Sequence, residues 1–244
     1  MFEVYDNAFI GEDTPNTEIY WRGGKDDEIS FIENLKINPD LEYYTKEKLT
    51  YNFNRYGHRC KNIDEINLNN YILFFGCSHT EGSGNYLEDT FPYIVSETLG
   101  VDYYNLGLRS SGIDVQLHNL FVWVTNKTLP KCIIWQWPPE PRLPVIDENK
   151  KIKQLGSWCT DEQEISLLYN SQKLKYCSAK RYMASSMLKN LNIPVIEIDV
   201  TVNLRAFFYK KIDSARDLLH YGPKSNLAIS DVIVNHITNK YIIT

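Results

Sequence analysis

Three residues combine side-chain types and surroundings suited to nucleophilic catalysis: Ser78, Asp217 and His220. Ser78 lies in Gly76-Cys77-Ser78-His79-Thr80-Glu81-Gly82, directly after the apolar run Tyr71-Ile72-Leu73-Phe74-Phe75. A run of that length reads as a buried strand, and Gly76 ends it. The hydroxyl is then offered at the carboxyl end of a strand, where open α/β sheets bind their ligands. Backbone N–H groups at the start of the following helix are placed to hold an oxyanion. Asp217-Leu218-Leu219-His220 stands just before the last helical pattern. An Asp and a His three apart in a turn present both side chains on one side. The carboxylate can orient one imidazole nitrogen while the other faces a hydroxyl. Each piece also has a plainer reading, Ser78 as a helix N-cap and Asp-x-x-His as a capped turn with a packed histidine.

Composition narrows the function classes. The 244 residues carry a net charge of -5, which leaves no basic footprint for nucleic acid. Cys60, Cys77, Cys132, Cys159 and Cys177 are odd in number and form no CxxC pair, so neither a zinc site nor a disulfide framework is expected. Reduced thiols, no charged-then-apolar leader and no apolar run of ~18–20 residues read as a cytoplasmic chain without a membrane span. The first 50 residues are polar and irregular apart from a short helical hint at 29–35. Phe2, Tyr5, Phe9, Tyr20 and Trp21 make them too apolar for a free tail, so they read as an arm wrapping the main body at 51–244.

From residue 71 strands and helices alternate. Helical patterns cover about 87–99, 113–124, 174–191 and 225–239, and strands cover 101–105, 132–137 and 194–199. Residues 139–168 form a proline-rich excursion of the kind used as a lid or binding loop. Alternation of this kind predicts an α/β fold with a parallel sheet covered on both faces, its loops gathered on the Ser78 edge. Arg109 and Arg142 follow the second and third strands, where they either reach the cleft to meet an anionic group or are solvated. Trp158 is free to stack on a sugar ring, whereas Trp135 and Trp137 read as core. His79 reads as a neighbour of the site rather than its base, because adjacent side chains diverge. His58, His118 and His236 read as structural.

Taken together, these blocks resemble the SGNH (GDSL-like) hydrolase superfamily. Gly76-Cys77-Ser78-His79-Thr80-Glu81-Gly82 is similar to its first block, with Cys77 in place of the usual Asp. Glu88-Asp89-Thr90-Phe91-Pro92 is similar to the segment opening its first helix, Asn105-Leu106-Gly107 to the second block and Asp217-Leu218-Leu219-His220 to the last. Asn54-Arg55-Tyr56-Gly57-His58-Arg59 resembles an N-x-x-G-x-R lead-in found upstream in many members. The third block departs: Ile134-Trp135-Gln136-Trp137 stands where the family has G-x-N-D. The resemblance spans about 51–240. It implies a three-layer α/β/α sandwich of flavodoxin-like type and a Ser78-His220-Asp217 triad. It also implies an oxyanion site using Gly107, with Gln136 as the substitute for the missing asparagine.

The implied activity is ester hydrolysis on a small ester or acylated carbohydrate, with no metal or organic cofactor. Acyl transfer would use the same residues. The degenerate third block also admits a weak or inactive SGNH-fold protein used for binding or assembly. Chains with this lead-in and a G-C-S-x-T form occur among tailed phages and their hosts, so that alternative includes a virion component, alone or as an oligomer.

Overall fold

The computed structural model describes residues 2–4, 9–138, 142–148, 151–169, 171–199, 207–208 and 211–240. In chain order the elements begin with β1 (Phe2–Val4), β2 (Ile10–Glu12), β3 (Glu18–Ile19), α1 (Glu28–Ile37) and β4 (Tyr51–Asn52). The main body follows with β5 (Tyr71–Phe75), α2 (Ser78–Glu81), α3 (Phe91–Leu99), β6 (Asp102–Asn105), α4 (Ile113–Asn126) and β7 (Cys132–Trp137). Then come β8 (Leu143–Ile146), β9 (Ile152–Leu155), α5 (Glu162–Leu168), α6 (Ser171–Asn190), β10 (Val195–Asp199), β11 (Phe207–Phe208) and α7 (Pro223–Lys240).

β5 is apolar throughout because it is the centre of a sheet covered on both faces. Its side chains alternate. Tyr71, Leu73 and Phe75 pack with Leu120 and Trp123 of α4 and Ala184 and Leu188 of α6. Ile72 and Phe74 pack on the other side with Phe91 and Val95 of α3 and Ile229, Ile233 and Ile237 of α7. The result is the expected three-layer α/β/α sandwich. The sheet has five strands in the order β11-β10-β7-β5-β6, all neighbours parallel. Counted by appearance that order is 2-1-3-4-5, the flavodoxin-like arrangement. The chain leaves β5 for β6 on one side and crosses to β7 on the other, opening a crevice at the carboxyl ends. Ser78 begins α2 at that point.

The first 50 residues are more ordered than their composition suggests. β1 pairs antiparallel with both β2 and β9, so arm and excursion share a four-stranded sheet of order β2-β1-β9-β8. Alternation cannot show in strands of three residues such as β1 and β2, which is why the pattern did not reveal them. A 3-10 helix at Pro39–Thr45 adds Leu41 and Tyr44 to a second core with Leu49, Tyr51 and Phe53. The excursion read as an irregular loop contains the β8–β9 hairpin and α5; Pro139 and Pro141 lie outside the described residues. Tyr5 and the side chain of Cys177 lie outside them too.

Candidate active site

Ser78 opens the four-residue helix α2, which Gly82 closes in a left-handed conformation at φ 86°. As the first residue of a helix, Ser78 has a backbone N–H with no intrahelical acceptor. Its Oγ lies 2.7 Å from Nε2 of His220. The Nδ1 of His220 faces Oδ2 of Asp217 in a short hydrogen bond. Asp217 Oδ1 accepts the backbone N–H groups of Leu219 at 2.9 Å and His220 at 3.0 Å, so the carboxylate also closes the turn that carries the imidazole. Leu218, between Asp217 and His220, is held at φ 60°, a region disfavoured for a branched side chain. Burial tends to raise the pKa of Asp217, but the hydrogen bond and charge of His220 and the two backbone donors hold it below its usual value. It is therefore a carboxylate at neutral pH.

His79 packs its ring against His220, centroids 4.8 Å apart and edge-on, and against Tyr221 at 4.5 Å. Burial, then repulsion from His220 and Arg142, drives its pKa well below the ordinary value, with Asp217 opposing. His79 is thus a neutral wall of the site. His58 is buried, with Nδ1 2.9 Å from the Tyr104 hydroxyl and Nε2 3.1 Å from the Ile10 carbonyl.

The remaining residues expected at the site behave differently. The Gly107 N–H is engaged by Asn105 Oδ1 at 2.9 Å, while Asn105 Nδ2 donates to the Thr80 carbonyl at 2.8 Å. In this arrangement Gly107 does not offer its N–H to an oxyanion. What needs glycine there is packing: a Cβ would lie 2.8 Å from the Glu81 nitrogen and 2.9 Å from Thr80 Cβ. Gln136 is fully buried under the nucleophile turn, its Oε1 accepting from the Thr80 hydroxyl at 2.7 Å. Its Nε2 is buried without a hydrogen-bond partner among the described residues. The longer side chain has folded under α2 instead of reaching the cleft. Arg109 turns to the arm and donates to the carbonyls of Arg22 and, at 3.4 Å, Gly23. Arg142 donates to the Ser111 carbonyl at 2.9 Å and lies 5.4 Å from the Trp158 ring.

The Asn54–Arg59 segment supports the site from below. Asn54 Oδ1 accepts from Tyr56 and His58, and Gly57, at φ 66°, lies against the backbone of Glu12, where a Cβ would meet the Glu12 oxygen at 2.2 Å. The buried Arg59 guanidinium donates to the carbonyls of Gly82 at 2.7 Å, Asn85 at 2.9 Å and Thr50 at 3.2 Å, fastening the loop that follows α2.

Residues that sequence reasoning missed lie in the arm and where the main body meets it. Arg22 pairs with Glu12 at 2.9 Å and Glu81 at 2.8 Å, and Asp26 pairs with Arg216; all are buried. Among the described residues no cluster of three His, Cys, Asp or Glu side chains suits a metal ion, and no helix is long and apolar enough to cross a membrane.

No protein-family model matches the sequence, and no curated protein matches it. Among solved structures the chain is similar to an acetyl xylan esterase from Butyrivibrio proteoclasticus, at 13% identity and a TM-score of 0.44. That match covers 70% of this chain and 64% of the esterase, so the chain spans under two thirds of it. A lipolytic protein of the G-D-S-L family from Veillonella parvula is similar at 14% identity and TM-score 0.33, over 69% of this chain and 73% of that one. A carbohydrate acetylesterase family member from Sinorhizobium meliloti is similar at 10% identity and TM-score 0.35, over 70% of this chain and 98% of that one.

Proposed function

We propose that the chain is a serine esterase acting on small acyl esters, among them O-acylated carbohydrates. The observation that carries this reading is the 2.7 Å approach of Ser78 Oγ to His220 Nε2, with Asp217 on the other ring nitrogen. His220 takes the Ser78 proton as Oγ attacks the ester carbonyl carbon. Asp217 stabilises the imidazolium that forms. The oxyanion of the tetrahedral intermediate is held by the Ser78 N–H. The intermediate collapses to an acyl-serine, and the departing alcohol takes the proton from His220. Water, deprotonated by His220, then releases the acid and restores Ser78; an acceptor alcohol in its place would give acyl transfer. Arg142 and Trp158 are the side chains we assign to the alcohol or sugar moiety.

With Gly107 engaged by Asn105 and Gln136 by Thr80, the oxyanion lacks two of the donors expected. Loss of one such donor costs about 10²–10³ in rate, so we infer a slow enzyme. The same observation favours a second reading, a binding or assembly protein that keeps the fold. Purified protein should hydrolyse p-nitrophenyl acetate and react with a fluorophosphonate probe, and Ser78→Ala should do neither. A wild-type rate equal to that of Ser78→Ala across several acyl lengths would favour the binding reading.

A further inference from the structure

We propose that the turn at residues 22–26 of the N-terminal arm is a positioning element for the catalytic residues, gripping the two segments that carry them and the loop after β6. The inference rests on the esterase reading, and its test separates the two. The turn is tight. Gly23 and Gly24 both sit at positive φ (72° and 71°), and Gly23 and Asp26 exchange backbone hydrogen bonds of 2.9 and 3.3 Å. Arg22 and Asp26 therefore project from its two ends with opposite charges, joined by Arg22 N–H to Asp26 Oδ2 at 3.2 Å.

Each of these three segments meets the turn. Arg22 pairs with Glu81, the last residue of the nucleophile helix. Arg109, on the loop after β6, donates to the Arg22 and Gly23 carbonyls. Asp26 receives both Nε and, at 3.1 Å, Nη2 of Arg216, the residue before the catalytic acid. A closed ring then ties nucleophile side to acid side. The Gly84 N–H donates to Tyr51 Oη at 2.7 Å, and Tyr51 donates to Asp26 Oδ2 at 2.6 Å. Asp26 holds Arg216, whose own N–H returns to the Gly84 carbonyl at 3.1 Å. Asn34 of α1 adds a bond from Nδ2 to the Arg216 carbonyl at 3.1 Å, and Leu218 packs on the arm core around Leu41 and Tyr44.

Packing alone does not account for this choice of residues. A buried ion pair contributes little net stability against apolar groups of the same volume, and its best-attested use is to fix register. Here the register fixed is that of Ser78 against His220, whose loops also meet through the Ser78–His220 hydrogen bond, the Gly84–Arg216 bond, the bond from Asn85 Nδ2 to the Tyr221 carbonyl at 2.8 Å and the packing of His79 on His220 and Tyr221.

The test compares wild type, Asp26→Asn and the milder Asn34→Ala by three readouts. These are the downfield proton resonance of His220 Nδ1, the rate of Ser78 labelling by a fluorophosphonate, and kcat and KM for p-nitrophenyl acetate. Displacement of a reacting group by about 1 Å costs up to ~10² in rate. Asp26→Asn should therefore label at least about tenfold more slowly and lose that factor in kcat, with KM unchanged and the His220 resonance shifted or broadened. Asn34→Ala should show the same signs at about threefold. A folded Asp26→Asn with wild-type labelling and an unshifted resonance overturns the proposal. Should Asp26→Asn not fold, an unaffected Asn34→Ala overturns it. If wild type itself does not label, the esterase reading falls, and the His220 resonance alone then decides the positioning role.

Discussion

Asp217 and His220 are joined twice, once through Oδ2 and Nδ1 and once through Oδ1 and the His220 backbone N–H at 3.0 Å. The carboxylate is both partner of the imidazole and closure of its turn. Asp217→Asn keeps an acceptor for the backbone but removes the charge. Its kcat should fall by about 10²–10⁴ with little change in melting temperature. Asp217→Ala should lose activity and also lower the melting temperature, because the backbone donors go unpaired. Equal melting temperatures for the two variants would show that the turn does not need the carboxylate.

His79 lies beside His220 but is kept neutral by burial and by the cations around it. It should contribute no ionisation of its own to the acid limb of activity. His79→Gln should therefore keep the shape of the acid limb of kcat/KM while lowering its height by less than about tenfold, the size of a packing rather than an acid–base effect. A displaced or second acid limb in the wild type that vanishes in His79→Gln would contradict this.

Thr80 and Gln136 form a polar pair beneath the nucleophile turn. Thr80→Val leaves the Gln136 carbonyl buried without its donor and should cost about 1–3 kcal/mol. Adding Gln136→Met removes the remaining polar atoms and should restore most of that loss. Activity per folded molecule should stay within about threefold in the double variant, since neither side chain serves the oxyanion. Urea denaturation of the four members of the cycle, with assays on each, checks both statements. A drop in activity beyond a hundredfold would return Gln136 to the oxyanion site.

Two buried groups set opposing pH slopes on stability. Burial pushes the Glu12 carboxyl up from 4.5 to about 6, with Arg22 opposing. The folded state then holds the proton more tightly, so this contribution is present below pH 4.5 and lost as pH rises through about 6. Burial depresses His58 from 6.5 to about 4, against its bond to Ile10. Its contribution is present above pH 6.5 and lost as pH falls through about 4. At 1.36 kcal/mol per unit these are worth about 2 and about 3 kcal/mol. Between pH 4.5 and 6 they largely cancel. Glu12→Gln removes one side of the balance. Its stability in urea should fall more than that of wild type, by about 2 kcal/mol, on going from pH 6.5 to 4.

What could be read without coordinates follows a physical division. The run at 71–75, the apolar face of α4 and the Asp217–His220 turn are local patterns, and local patterns survive in a sequence. Arg22, Asp26 and Glu81 carry no local mark, because a buried ion pair is defined by residues far apart in the chain. The resemblance places Gly107 and Gln136 at an oxyanion site by block position, which says nothing of what else their polar groups meet. A side chain two residues back claimed the first, and one extra methylene let the second fold under α2. Arg109 went to the arm because the arm, invisible as structure in its own composition, offers two carbonyls there.

The span between Asp26 and Arg216, 190 residues, also sets an order of events during synthesis. The ribosome delivers Asp26 long before Arg216. Until then Asp26 lacks its Arg216 partner and Ser78 lacks His220, and until β9 is made the edge of β1 stays open. Ends this distant make closure slow, and an exposed strand edge over that interval invites association with other chains. On the esterase reading, the nascent protein holds Ser78 long before the turn that carries His220, and onset of Ser78 reactivity would time closure of the Asp26–Arg216 pair.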